Sequence, residues 1–295
     1  MLAHRPPALR ANPAFDRALV RPLLRLGGWM TVSNLVGPFM VTLDRFMIGM
    51  FSSAAVVAFY TTPFEVVSKV LIVPGALAGV LFPLFSRHYP LDRGRVTELF
   101  CKGIKYILLI LFPVTMGIEA LAHEGLDLWL GPLFAANSAV VLRWLAVGML
   151  LNAGAQIAFA LVQGAGKPEF TAVLHLAELP LYLVALRLLI GSYGVAGAAV
   201  AWAARAAVDA AALLLLAGRL LPEGRRRIRR VAGACLAACA ALGLATLPAS
   251  TIPRLVFLVA VLAAAAAIVW RRGLTAEERA RLTRPLQEHA RWFAE

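Results

Sequence analysis

Four ionisable residues stand close together in an otherwise apolar stretch: Asp44 and Arg45 in "VTLDRFMIG", Glu65 and Lys69 in "FEVVSK". Near the centre of a membrane helix a single charge costs about 2.5–3.5 kcal/mol even on a lenient insertion scale, so retaining four calls for a chemical reason. Glu65 precedes Lys69 by four residues, the favourable order for a helical pair, and the four charges sum to zero, so they can neutralise one another between two helices. A second set follows with Glu178, Arg205 and Asp209. Asp209 lies four residues after Arg205 and is expected to pair with it, leaving Glu178 as the acid with spare capacity. Two chemistries fit. Either each set is a structural ion-pair clamp, or it is a solute or proton site. Asn34, Asn152, Gln156, Gln163 and His175 are single polar points, read as interhelical glue.

The elements that position these residues are membrane helices. The chain is 61% apolar and 15% charged, against roughly 45–50% and 25% in soluble domains. Several runs exceed the roughly 18 apolar residues that span a bilayer, and no strand-like alternation is present, so the fold class is an all-α polytopic membrane protein. Eight spans are expected, at about 24–50, 56–86, 104–122, 139–163, 168–190, 194–220, 231–249 and 252–270. Pro63, Pro74 and Pro83 predict an entry segment, a kink and an exit turn in the second. At about 1.5 Å per residue, Asp44 and Glu65 lie roughly 9 and 12 Å below the outer ends of their spans, and Glu178 and Arg205 roughly 15 Å deep, near the midplane. "GALAG" at 75–79 and the alanine-rich run from Tyr193 predict close helix approach.

The net charge of +13 is used in orientation and not for nucleic acid. Arginine and lysine fill the N-terminal segment, the even-numbered connections and the start of the C-terminal tail, while the odd connections are nearly bare of base, with Arg254 as the exception. This alternation places both termini in the cytoplasm. It divides the chain into an N-terminal cytoplasmic segment (1–23), a six-helix lobe (24–220), a basic cytoplasmic loop (221–230), a terminal helix pair (231–270) and a cytoplasmic tail (271–295), where Thr275 and Glu278 have capping-box spacing. No cleavable signal peptide is read in residues 1–22. Cys101, Cys235 and Cys239 have no metal or redox spacing, no catalytic motif of an enzyme is found, and no cofactor is called for.

Residues 23–220 resemble the polysaccharide biosynthesis, or oligosaccharide flippase, family of the multidrug/oligosaccharidyl-lipid/polysaccharide exporter superfamily. The likeness is carried by the order of three segments: "LLRLGGWMTVSNLVGPFMVTLDRFMIGMFSSAAVVAFYTTPFEVVSKVLIVPGALAGVLFPLFSR", "LWLGPLFAANSAVVLRWLAVGMLLNAGAQIAFALVQGAGKPEFTA" and "YGVAGAAVAWAARAAVDA". It implies a bacterial inner-membrane protein that moves lipid-linked oligosaccharide, on a polyprenyl pyrophosphate, between leaflets by alternating access. It also implies that spans one to six are the second lobe of a protein of twelve to fourteen spans. The first lobe would then come from a second copy or a separate subunit, unless the chain is a truncated fragment. On this reading Arg45, Lys69 and Arg205 are the candidates for attracting the headgroup, and Asp44, Glu65, Glu178 and Asp209 for balancing charge or carrying a coupling ion. The alternatives are a cation-coupled drug or metabolite exporter of the same superfamily and a non-transporting membrane scaffold.

Overall fold

The computed structural model describes residues 17–245, 251–268 and 270–271, and all its regular structure is helical. The order is α1 (Arg17–Phe51), α2 (Ala54–Ser68), α3 (Ile72–His88), α4 (Arg93–Leu130), α5 (Pro132–Gly164), α6 (Pro168–Leu220), α7 (Arg225–Leu244) and α8 (Thr251–Ile268). Within the described residues helix runs through each expected segment, α2 and α3 sharing the second. The Ala54–His88, Arg93–Leu130, Pro132–Gly164 and Pro168–Leu220 units are long and apolar enough to cross a bilayer. The protein is a polytopic helical membrane protein.

The proline expectations hold only in part. Pro74 has no N–H for the carbonyl of Val70, and the helix tightens there into a 3-10 turn, Lys69–Leu71, that separates α2 from α3. Pro63 and Pro83 instead lie inside α2 and α3. Pro63 orphans the carbonyl of Phe59, and Ser138 of α5 donates its hydroxyl to that oxygen at 2.9 Å, which keeps the helix intact in an apolar setting. Two expected loops are also helical. Gly131, at φ 86°, makes a tight turn between α4 and α5, so 123–138 is no open loop. Arg225–Arg230 forms the first turns of α7 after the 3-10 turn Pro222–Gly224. The capping-box tail lies outside the described residues.

Straight, the 53 residues of α6 would reach about 80 Å, more than twice a hydrocarbon core of about 30 Å. Gly194, at φ 59° and ψ −139°, breaks it where an L side chain would be strained. The chain folds back on itself: His175 meets Asp209 and Glu178 meets Arg205, pairs that only an antiparallel hairpin brings together. The expected fifth and sixth spans are its two arms.

Helix α5 is the hub, burying residues on nearly every face. One apolar core joins it to α3, α4, α7 and the end of α6 around Phe85, Phe100, Ile104, Leu161 and Leu213; a second joins it to α1, α2 and the α6 turn around Met40, Ile48, Tyr60 and Trp202. Ser33 of α1 and Gln163 of α5 both reach Thr171 of α6, at 3.0 and 3.4 Å. The outer faces carry large apolar side chains such as Leu35, Met50, Leu181 and Leu215, as a lipid-facing bundle requires.

Replacing Gly194 by Ala should strain the α6 turn by about 1–3 kcal/mol and lower the thermal midpoint of the purified chain in detergent. An unchanged midpoint would show that the turn does not depend on this backbone conformation.

Candidate functional site

Every sequence-predicted site residue lies along one seam between α1, α2 and the α6 hairpin, but with different partners from those expected. Asp44 is fully buried in α1. Its carboxylate accepts from the hydroxyl of Tyr60 on α2 and from the backbone N–H of Arg45 at 2.8 Å, so a phenol supplies the donor that spacing assigned to a base. Spacing could not reveal Tyr60, because it reaches Asp44 only once the two helices pack.

Arg45 turns the other way and donates Nη2 to Glu65 at 2.7 Å, while Lys69 stands 3.7 Å from the same carboxylate. This triad has the expected members. It is not enclosed, however: the side chains of Glu65 and Lys69 are 51% and 70% exposed.

The deeper set is re-paired. Asp209 does not take Arg205; it faces His175 Nε2 at 3.7 Å, and Arg205 Nη1 faces Glu178 Oε2 at 3.7 Å, with the Arg205 and Glu178 side chains only 8% and 5% exposed. The hairpin decides this, since folding α6 at Gly194 brings the opposite arm nearer than the next turn of the same helix. His175, read from sequence as glue, thus joins the ionisable set. Neither ion pair is at hydrogen-bond length, and Arg205 Nε, both Glu178 oxygens, Asp209 Oδ1 and His175 Nδ1 have no hydrogen-bond partner. Buried polar atoms are rarely left so, and a cluster of them is where a polar ligand or water would be received.

Aromatic rings join the two sets into one site. The Arg45 guanidinium lies over Phe64 at 5.1 Å, Phe64 meets Trp202 edge to face at 5.7 Å, and Arg205 lies over Trp202 at 5.9 Å and Tyr182 at 5.6 Å. Both guanidinium groups therefore rest on ring faces, an arrangement that holds a cation where water is scarce. Trp202 owes its place to Gly148 of α5: a Cβ there would stand 2.5 Å from Trp202 Cζ3 and 3.0 Å from Ala203 Cα.

The model of a family described as polysaccharide biosynthesis protein matches residues 7–139. A putative O-antigen transporter of Shigella flexneri is 38% identical over 200 residues, 67% of this chain and 47% of its own length. Residues 7–139 thus belong to the polysaccharide biosynthesis protein family. A second relative in keeping with that family, a probable low-salt glycan biosynthesis flippase of Haloferax volcanii, is 27% identical over 199 residues, 67% of this chain and 42% of its own length. The chain thus spans about half the length of the curated relatives it matches. No solved structure matches it.

The chain carries further paired charges that the sequence reading did not count among the site residues. Glu119 of α4, 1% exposed, lies 4.0 Å from Arg143 Nε of α5, which donates to the Glu119 carbonyl at 3.3 Å. Glu124 lies 3.8 Å from Arg254 of α8, so the one base that broke the loop alternation is held by an acid. Both pairs lie away from the seam and fasten α4 to α5 and α8. Opposite charges on different helices, with no regular spacing between them, gave no signal in one dimension.

Gly148→Ala should press on Trp202 and destabilise the chain by about 1–3 kcal/mol, the usual overpacking cost. Adding Trp202→Phe should recover part of that loss. If the two losses simply add in a thermal-unfolding cycle, Gly148 is not the slot for Trp202.

Proposed function

We propose that this chain is one lobe of a flippase that carries lipid-linked oligosaccharide, of the polyprenyl pyrophosphate type, across a bacterial inner membrane by alternating access, with no chemistry performed on the cargo. The observation that carries this reading is the placing of Arg45 and Arg205 on aromatic faces inside a bundle whose outer surface is apolar. A pyrophosphate needs fixed positive charge where solvent is scarce, and two guanidinium groups present paired donors for it. Lys69 stands at the exposed end of the seam, as a first contact for the headgroup. The acids Asp44, Glu65, Glu178 and Asp209 keep these bases from lying unbalanced when no cargo is present. The names of the relatives, an O-antigen transporter and a glycan biosynthesis flippase, support cargo of this class.

A second lobe completes the site. Glu65 is exposed on α2 and Lys69 in the 3-10 turn that follows it, with Ile72 exposed at the start of α3 and Phe46 exposed on α1. Charges so placed cannot face lipid cheaply, whereas a partner lobe of the same orientation would close a cavity over them. A second copy or a separately encoded lobe would serve. Both termini lie in the cytoplasm on this reading, as the basic connections require.

Lys69→Met should lower both export of a lipid-linked oligosaccharide and protein yield. Adding Glu65→Gln should restore yield but not export; recovery of both would leave the triad as a clamp and remove Lys69 from the transport site. Cysteines at Phe46 and Ile72, in a chain freed of Cys101, Cys235 and Cys239, should crosslink to a partner lobe in membranes. Export by a chain that stays monomeric without crosslinks would sink the two-lobe proposal.

A further inference from the structure

We propose that His175 takes up a proton when an anionic headgroup binds at Arg205, so that occupancy of the site is linked to pH. This rests on the headgroup reading above and adds a titrating residue that spacing had left as a polar point.

The argument is one of charge. Within the α6 hairpin two carboxylates, Glu178 and Asp209, face a single arginine, Arg205. With a neutral imidazole and both acids ionised the buried group would carry one excess negative charge. The surrounding elements do not cancel it. From α1, Asp44 adds a further carboxylate within electrostatic range of Arg205, and Arg45 is taken by Glu65. From α2, Tyr60 is engaged by Asp44. The ionisable residue of α5, Arg143, is paired with Glu119. An anion arriving at Arg205 would deepen the excess in a buried setting, where unbalanced charge is least tolerated.

His175 is built to correct this. Its ring is stacked on Phe159 of α5, with centroids 5.8 Å apart and planes 6° from parallel. On the α1 side, a Cβ at Gly37 would come within 4.0 Å of its Cε1, so the ring is seated on both flanks. Nε2 faces Asp209 while Nδ1 has no partner, and the residue is more than nine-tenths buried. A proton placed on the imidazole sets a cation beside Asp209 and leaves Arg205 to be shared between Glu178 and the incoming anion. Linkage is reciprocal: if the anion favours the protonated ring, protonation favours the anion by the same factor. Histidine is the side chain whose ordinary titration range makes such a link useful near neutral pH.

The test is calorimetric titration of the full chain in lipid nanodiscs with farnesyl pyrophosphate, a short polyprenyl pyrophosphate, in two buffers of different ionisation enthalpy. The comparison gives the number of protons taken up per ligand bound. The intact chain should take up close to one proton more than either His175→Gln or Asp209→Asn, the first removing the acceptor and the second the excess acid. It should also bind about tenfold more tightly at pH 6 than at pH 8 after correction for the ligand's own titration, measured with His175→Gln. Asp209→Asn should bind more tightly than the intact chain at pH 8. Equal proton uptake in the intact chain and both variants, with binding preserved, overturns the proton link and leaves the headgroup reading standing. Absence of binding to the intact chain overturns both.

Discussion

Charge that cannot stay alone in an apolar bundle organises this molecule. Each tie draws one helix against another: Arg45 to Glu65 joins α1 to α2, Arg205 to Glu178 closes the arms of α6, Arg143 to Glu119 joins α5 to α4, and Arg254 to Glu124 brings α8 onto α4. For the enclosed pairs, Arg205–Glu178 and Arg143–Glu119, removing one member costs about 3–5 kcal/mol because the other is then stranded, which is ample to fix register where lipid and protein are equally apolar and dispersion alone discriminates weakly. The hydroxyl contacts do the same on a smaller scale, Ser138 mending the break that Pro63 makes and Thr171 tying three helices together.

The seam is graded along its length. Lys69 and Glu65 stand in the open, Arg45 is half covered, and Arg205 and Glu178 are almost wholly enclosed. An anion moving inward would exchange loosely held, hydrated charge for rigid charge backed by rings. Electrostatic attraction grows as the surrounding dielectric falls, so the pull of fixed positive charge on an anion would strengthen along the seam toward Arg205.

Much of this was legible in the sequence. Apolar run lengths gave the helices, and the charges interrupting them gave the members of the seam, since a residue that costs so much to keep stands out without any contact being known. The partners were not legible. Arg205 to Asp209 is the natural pairing on one helix, and only the fold at Gly194 makes Glu178 and His175 the nearer neighbours. Tyr60 carries no charge to announce it, and Glu119 and Arg143 sit on separate helices with no spacing to link them. Helix ends were misplaced for a related reason: Gly131 lets a single residue do the work of a loop, so α4 and α5 run on through a polar stretch.

The indole of Trp202 set into the gap at Gly148 acts as a key in a slot. Sliding α6 along α5 by even one turn would drive a bulky ring through backbone, so these two helices form a stiff plate. The 3-10 turn at Lys69–Leu71 is the opposite kind of element, a joint with weakened hydrogen bonding in the middle of an apolar rod. A bend at this joint would swing Glu65 and Tyr60 of α2 relative to Arg205, and so alter the width of the seam without disturbing the plate behind it.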